Sequence, residues 1–201
     1  MALAIGVAVV VLLKPAQATF PGVPGKIAYV GGDEIHTIWP GGSGDRQITT
    51  DTPVGARAPA YSPDGSRIAY DRPEEAKFPL DSEIYTVKAS DGSGKLQLTH
   101  STKPDYSPSY SPDGRRIAYV SHDGNTSEIY TIKVGGGDKR RVTNNTKRED
   151  DPDYSPGGWR IAYHSYDGND SEIYTIRTDG QDRRQVTNNS TRDVSPSWGS
   201  R

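Results

Sequence analysis

The sequence predicts an all-β fold, and three observations support this. Units of about 40 to 50 residues are repeated four times along the 201-residue chain, a period typical of propellers and arrays. The apolar runs within each unit are short and rich in Ile, Val, Tyr and Thr, and Gly, Pro and Asp bound them, as in β-strands. No segment after the N-terminal region shows sustained helical periodicity. We therefore expect a β-propeller of four four-stranded blades.

The first residues, 1–18, have the features of a cleaved signal peptide. Ala2 to Leu13 is a continuous small and apolar stretch, and Ala16-Gln17-Ala18 matches an A-x-A cleavage site. The stretch is shorter than the roughly 20 residues of a membrane-spanning helix, but it lacks the usual basic start. An upstream start, a retained anchor and a buried strand remain alternatives. We expect an exported domain at residues 19–201, in the periplasm or outside the cell.

Charge and cysteine content exclude several functions. Lys and Arg number 24 against 26 Asp and Glu, so there is no basic excess of the kind that binds a nucleic-acid backbone. The chain has no cysteine, which excludes disulfides, thiolate chemistry and a lipid-modified cysteine. Packing alone must hold the fold.

Four strands are predicted in each unit. The first contains Pro-x-Tyr, the second Ile-Ala-Tyr, the third Glu-Ile-Tyr-Thr and the fourth Val-Thr or a close variant. Ser-Pro-Asp-Gly separates the first two strands, and its Pro and Gly favour a tight turn. The second and third strands are apolar on both faces, as expected for a sheet packed between two neighbours. The third strands begin at Glu34, Glu83, Glu128 and Glu172.

The two ends of the repeat array indicate how a ring would close. The chain enters the first unit at the second strand, at Lys26, and its last aromatic run, Pro196-Ser197-Trp198, is a first strand. We expect this last strand to complete the first blade, because pairing would cover an exposed edge. An incomplete piece of a larger ring and a propeller-completing dimer remain alternatives. Aromatic residues in one register are interpreted as blade-to-blade packing rather than a ligand cage: Tyr61, Tyr110, Tyr154 and Trp198.

The repeat Tyr-Ser-Pro-Asp-Gly, Arg-Ile-Ala-Tyr, Glu-Ile-Tyr-Thr resembles the WD-repeat-like β-propeller unit of the TolB type. The resemblance covers Lys26 to Trp198. It implies a non-catalytic envelope adaptor that binds protein partners at the propeller face and channel. The chain departs from that family by lacking a separate α/β domain and by having four units where six are usual.

The candidate binding site lies on the face whose loops vary between units, because variable loops on a rigid frame commonly carry function. The loop between the second and third strands of the second unit has an apolar tip, which either contacts a partner or folds back over a blade edge. Acidic residues of the loops between units form a rim that would attract a basic peptide or a cation, unless they only cap turns. The candidate residues are Arg57, Lys77, Phe78, Leu80, Asp105, Asp150, Asp151, Asp153 and Asp193.

No catalytic or cofactor site is predicted. The segment from Asp167 to Glu172 has closely spaced oxygen ligands, but it lacks the twelve-residue calcium-loop spacing, so a hairpin turn is favoured over Ca²⁺. The four histidines form no constellation, and there is no G-x-S-x-G nucleophile elbow. The prediction is a non-catalytic, protein-binding scaffold of the cell envelope. A polysaccharide-directed lectin, lyase or hydrolase on a propeller scaffold is the alternative.

Overall fold

A computed structural model describes residues 25–51, 54–74 and 81–199, which form four antiparallel sheets, one for each repeat. Within these ranges no helix is long and apolar enough to cross a bilayer. The predicted signal peptide, 1–18, and the predicted contact residues Lys77, Phe78 and Leu80 lie outside the described residues. The predicted all-β class is confirmed.

Each sheet is a meander in which consecutive strands are hydrogen-bonded neighbours. The first sheet contains β1 (Ile27–Gly31), β2 (Glu34–Ile38) and β3 (Arg46–Gln47). The second contains β4 (Arg57–Tyr61), β5 (Arg67–Pro73), β6 (Ser82–Lys88) and β7 (Leu96–Gln97). The third contains β8 (Asp105–Tyr110), β9 (Arg116–His122), β10 (Ser127–Lys133) and β11 (Arg140–Arg141), and the fourth β12 (Arg148–Tyr154), β13 (Arg160–Tyr166), β14 (Ser171–Arg177) and β15 (Arg184–Gln185).

The Ser-Pro-Asp-Gly segments form the predicted tight turns. In the second sheet the Ser62 carbonyl accepts the Gly65 N–H at 2.8 Å, and Gly65 has a φ of 69°. Such a positive φ is easily reached only by a residue without a Cβ atom. The Ser62 hydroxyl also accepts the Arg67 N–H at 2.9 Å, which starts β5 at a fixed place. The third and fourth sheets repeat this arrangement from Ser111 and Ser155.

The sheets pack on one another in sequence order, and their contacts run through β4, β8 and β12, called the inner strands below. Three apolar clusters fill the spaces between neighbouring sheets. Tyr110 packs there with Ala69 and Ile84 of the preceding sheet, and Tyr154 packs with Ala118 and Ile129. The prediction that these aromatic residues join one sheet to the next is confirmed.

The predicted closure by the C-terminal strand is not observed. Among the described residues the first sheet has three strands with β1 at its edge, and none of them contacts a strand of the fourth sheet. Residues 194–199 lie outside any sheet, beside β12: the Trp198 N–H donates to Asp153 Oδ2 at 2.8 Å, and the Ser195 hydroxyl donates to Asp151 Oδ2 at 2.7 Å. Because each sheet packs only on its sequence neighbours, these bonds hold the segment at the opposite end of the array from β1.

Candidate functional site

Each inner strand contains an irregularity that brings polar side chains to the contact between sheets. The register shifts between Arg57 and Ala60 in β4, with equivalent shifts in β8 and β12. One residue in each shift has a left-handed backbone: φ is 46° at Ala58, 52° at Ser107 and 50° at Asp151. A bulge of this kind bends the strand and redirects its side chains. The polar residues around it therefore meet residues of the neighbouring inner strand.

Three of the predicted site residues, Asp150, Asp151 and Asp153, come together on β12. Their carboxylates accept hydrogen bonds from several elements. The Tyr106 hydroxyl of β8 donates to Asp150 Oδ2 at 3.3 Å, and the Ser109 hydroxyl donates to Asp153 Oδ1 at 3.1 Å. These bonds tie the third sheet to the fourth. The three carboxylates form an acidic row along β12, the inner strand of the fourth sheet, which is called the inner edge below.

Asp71 lies on β5 and faces β8, the inner strand of the third sheet. It is buried, and its Oδ1 accepts the N–H of Ser107 at 3.2 Å. The pKa of Asp71 is raised to about 6, mainly by burial; the Asp150 charge also raises it, and the Ser107 N–H and the Arg57 charge lower it. A carboxyl group with such a pKa exchanges its proton near neutral pH.

His164 on β13 adds a second titratable group. Its Nδ1 lies 3.6 Å from Asp151 Oδ2, and its side chain is only 12% exposed. Burial lowers the pKa of His164, although the charges of Asp150 and Asp151 raise it. Burial also raises the pKa of Asp150. The low-dielectric surroundings thus favour the neutral forms of both groups, as they often do in ligand-binding and catalytic sites.

The remaining predicted site residues are separated from this group or lie below the surface. Arg57 is exposed at the start of β4. Asp193 lies half-exposed after β15, where its carboxylate accepts a hydrogen bond from the Asn189 amide at 2.7 Å. Asp105 is fully buried, 4.0 Å from Lys139 Nζ, and burial raises its pKa. The expectation that Asp105 contacts a partner is corrected, because the second sheet packs over the start of β8.

Sequence reasoning missed Asp71, Tyr106 and His164. Asp71 and His164 hold the position that Val120 holds in the third sheet, directly after Ile-Ala-Tyr. A polar residue at a repeat position that is otherwise apolar is the signal that would have found both. Tyr106 gives no such signal, since its role depends on the distance to Asp150 in the next sheet.

The segment considered for Ca²⁺ forms a turn. Asp167 Oδ1 accepts the N–H groups of Asn169 and Asp170, at 3.1 and 3.2 Å, and Gly168 between them has a φ of 106°. Asp123 makes the same turn in the third sheet. Within the described residues, no group of three or more His, Asp or Glu side chains is arranged to hold a metal ion. The turn prediction is confirmed, and Ca²⁺ stays the less favoured alternative.

Several solved structures share the fold. Putative TolB from Agrobacterium tumefaciens superposes with a TM-score of 0.69 at 24% identity, over 80% of this chain and 59% of that one. TolB from Acinetobacter baumannii gives 0.69 at 23% identity, over 81% and 40%. Oligogalacturonate lyase from Vibrio parahaemolyticus gives 0.62 at 14% identity, over 80% and 49%. These likenesses concern the fold alone, and the chain spans about half the length of the TolB structures.

A family comparison reaches further than the structural one. No curated protein is similar enough in sequence to count as a match. The family model described as TolB beta propeller domain matches residues 74–200, which is more than half of the chain. The matched stretch contains the third and fourth repeats and most of the inner-edge acidic residues. The chain therefore belongs to the TolB β-propeller domain family.

Proposed function

We propose that the chain is a non-catalytic, exported, protein-binding propeller of the cell envelope, and that its partner contacts the inner edge at β12. The observation that carries this proposal is the row of carboxylates on β12: Asp150 and Asp153 face the third sheet, and Asp151 faces residues 194–199. A rigid surface with one sign of charge attracts segments of the opposite sign. The partner chemistry that fits is a basic peptide segment.

Two features support binding by this surface. The sheet scaffold fixes the carboxylates, because Ser109 and the Trp198 N–H hold Asp153 from two directions. Asp151 has a side chain that is 36% exposed, so a basic group can approach it from solvent. Little conformational freedom is lost when a partner binds such a preorganised site.

The test is capture of partners from a cross-linked envelope extract by three proteins. These are the natural chain, the double variant Asp151→Asn/Asp153→Asn, and the control variant Asp179→Asn. Asp179 is an exposed acid of the turn before β15, and an asparagine side-chain oxygen can still accept the hydrogen bond from the Gln181 N–H, which is 3.0 Å long. We expect a partner that the natural chain and Asp179→Asn retain and the double variant loses. Identical captured proteins in all three would contradict the proposal.

The affinity of a captured partner gives a second measure. Exposed charge pairs contribute about 0.5 to 1 kcal/mol each, so two neutralised carboxylates predict a loss of roughly 5- to 30-fold. The loss should shrink as salt concentration rises, because salt screens exposed charges. A salt-independent affinity would show that the acidic row does not drive binding.

An enzyme acting on polysaccharides is the second candidate, and one observation favours it. The Asp150 carboxyl, whose pKa burial raises, is bonded by the Tyr106 hydroxyl and lies close to His164. A buried carboxyl group with a raised pKa beside a histidine is an arrangement that suits acid–base catalysis. Turnover of an acidic polysaccharide that disappears in Asp150→Asn would favour the enzyme, whereas a binding module gives no product with either protein.

A further inference from the structure

We propose that residues 193–199 of one copy, the donor segment, complete the first sheet of a second copy by pairing with the free edge of its β1. The donor segment has the conformation of an inner strand but lies in no sheet. The strand β1 has the position of a second strand, and within the described residues it pairs only with β2. The donor segment is thus an inner strand with no sheet partner, and β1 is a second strand with no inner strand beside it in the described chain. This proposal does not rest on the proposed function, although the donor segment is bonded to two of the same carboxylates, Asp151 and Asp153.

The donor segment already has the shape of an inner strand. Ser195 has a φ of 52°, against 52° at Ser107 and 50° at Asp151, which stand at the same place in their repeats. The Asp193 N–H donates to the Ser171 carbonyl at 2.8 Å, just as the Ala56 N–H before β4 donates to Asp33 at 2.7 Å. Because the segment keeps this bulged form without a partner strand in a sheet, pairing would require little further ordering.

The edge of β1 is more exposed than the edges of the corresponding strands β5, β9 and β13, which pair with inner strands. Ile68, Ile117 and Ile161 begin the corresponding strands, and all three are 0% exposed. An inner-strand tyrosine stands directly opposite each of them, in the pairs Tyr61 with Ile68, Tyr110 with Ile117, and Tyr154 with Ile161. Ile27, at the same position in β1, is 52% exposed. The aromatic residue of this register that has no opposite partner in the described chain is Trp198.

The same contact would cover a second exposed surface. Val186 follows β15 and is 60% exposed, whereas Leu98 and Val142, its equivalents in the second and third sheets, are 3% and 5% exposed. The next sheet covers both of these residues. A first sheet placed after the donor segment would cover Val186 in the same way. Burial of apolar surface at both Ile27 and Val186 thus favours one and the same contact.

A second copy fits this contact better than the same chain. The first and fourth sheets stand at opposite ends of the array, and no described strand of one contacts a strand of the other. The bonds from Trp198 to Asp153 and from Ser195 to Asp151 keep the donor segment on its own fourth sheet. The donor and the edge it fits are therefore separated within one copy. Association of this kind is head-to-tail, using two different surfaces.

One negative charge in the first sheet, that of Asp45, opposes the contact, and its substitution should therefore change the strength of association. Asp105 and Glu149 hold equivalent places near the beginning of β8 and β12. Their carboxylates lie 4.0 Å from Lys139 Nζ and 3.8 Å from the Arg183 guanidinium, respectively. Asp193 holds the equivalent place in the donor segment. In the first sheet the residue before β3, which corresponds to Lys139 and Arg183, is Asp45 rather than a cation, and its Oδ1 accepts the Tyr29 hydroxyl at 2.9 Å. The contact brings Asp193 towards Asp45, so repulsion weakens it.

Site-specific disulfide formation tests the proposal directly, since the chain has no cysteine. An equimolar mixture of Ile27→Cys and Trp198→Cys copies is oxidised and run without reductant. Directly opposite residues of antiparallel strands have Cα atoms about 4.5 to 5.5 Å apart, which suits a disulfide. We expect a dimer of about twice 21.8 kDa that contains one copy of each variant. The control mixture pairs Ile27→Cys with Trp159→Cys, whose parent side chain is 79% exposed but lies outside the register.

Equal cross-linking of the control mixture would overturn the proposal, and so would a test mixture that stays monomeric. Placing both cysteines in one chain separates closure within the chain from association between copies. Linked multimers support association, whereas an internally linked monomer at every concentration overturns it. Asp45→Lys should raise the cross-linked fraction severalfold, and a decrease would contradict the geometry. Unchanged circular dichroism confirms that each variant folds.

Discussion

Among the glycines of the described residues, Gly92 lies tightest against the neighbouring repeat. It lies in the turn between β6 and β7, and an added Cβ atom would stand 1.9 Å from the Ile48 carbonyl oxygen of the preceding sheet. Gly136 occupies the same place in the third sheet, yet its nearest neighbour is the Leu98 carbonyl oxygen at 3.9 Å. Gly180 is intermediate, at 2.9 Å from the Val142 carbonyl oxygen. Substitution of each by alanine therefore measures how tightly neighbouring sheets are packed.

The three substitutions share one cost and differ in another. Their φ values are 76°, 82° and 83°, so alanine costs about 1 to 2 kcal/mol at each for a left-handed backbone. At Gly136 nothing further is expected. At Gly92 the first sheet must retreat by about 1.5 Å to restore an ordinary 3.4 Å contact, and overpacking of this kind costs about 1 to 3 kcal/mol more. Gly180→Ala should fall between them.

Urea unfolding followed by circular dichroism at one protein concentration gives the three losses in free energy of unfolding. We expect the loss to decrease from Gly92→Ala to Gly180→Ala to Gly136→Ala, with about 1 to 3 kcal/mol between the first and the last. Because stability in repeat arrays depends on interfaces between neighbours, Gly92→Ala should mainly loosen the first sheet. Equal losses in all three variants would refute the packing argument and leave only the backbone term.

Three further substitutions test burial, protonation and hydrogen bonding. Burial raises the pKa of Asp71 to about 6, so the protonated carboxyl stabilises the fold below pH 4 and this stabilisation is lost as pH rises through 6. Asp71→Asn should therefore raise the free energy of unfolding by up to about 3 kcal/mol at pH 8 and by almost nothing at pH 4. A lower free energy of unfolding at pH 8 would contradict the direction of the pKa shift. Ile161 is 0% exposed, so Ile161→Ala should lower the free energy of unfolding by about 2 to 5 kcal/mol. The equivalent Ile27 is 52% exposed, and Ile27→Ala should lower it by under about 1 kcal/mol in the monomer. Equal melting temperatures of the two variants would contradict the difference in burial. Thr99→Val removes the donor to buried Glu83 and should cost about 2 to 3 kcal/mol in urea unfolding, whereas Thr99→Ser keeps the hydroxyl and should cost less.

The strands, turns and repeat register were predictable because their signals are local. Pro-Asp-Gly sets the backbone of a turn whatever surrounds it, and Ile-Ala-Tyr recurs at one position of every unit. The aromatic register was also predictable, because Tyr110 and Tyr154 occupy equivalent places and equivalent places in a repeat share an environment.

The burial of individual acidic residues and the sheet that the last segment joins were not predictable from these local signals. Asp105 and Asp150 both stand in segments rich in polar residues, but only the position of the preceding sheet decides that Asp105 is fully buried. The register of Trp198 indicates that it belongs to an inner strand, without indicating which sheet it joins. The hydrogen bonds to Asp153 and Asp151 decide that, and they connect residues more than 40 positions apart.

The low apolar content of the chain, 32%, is compatible with a packed array because tyrosines and cations share the inter-sheet space. Lys139 Nζ lies 4.5 Å from the ring centre of Tyr130, and the Arg183 guanidinium lies 3.7 Å from that of Tyr174. The long side chains cover the rings, and the cation balances a buried acid of the same unit. Asp45 stands where those cations would stand, in the first sheet, whose outer face no described sheet covers. The first sheet therefore departs from the pattern of the other sheets, which have a cation at this position. The departure lies on the sheet to which, by the geometry of the other sheets, a donor segment would add.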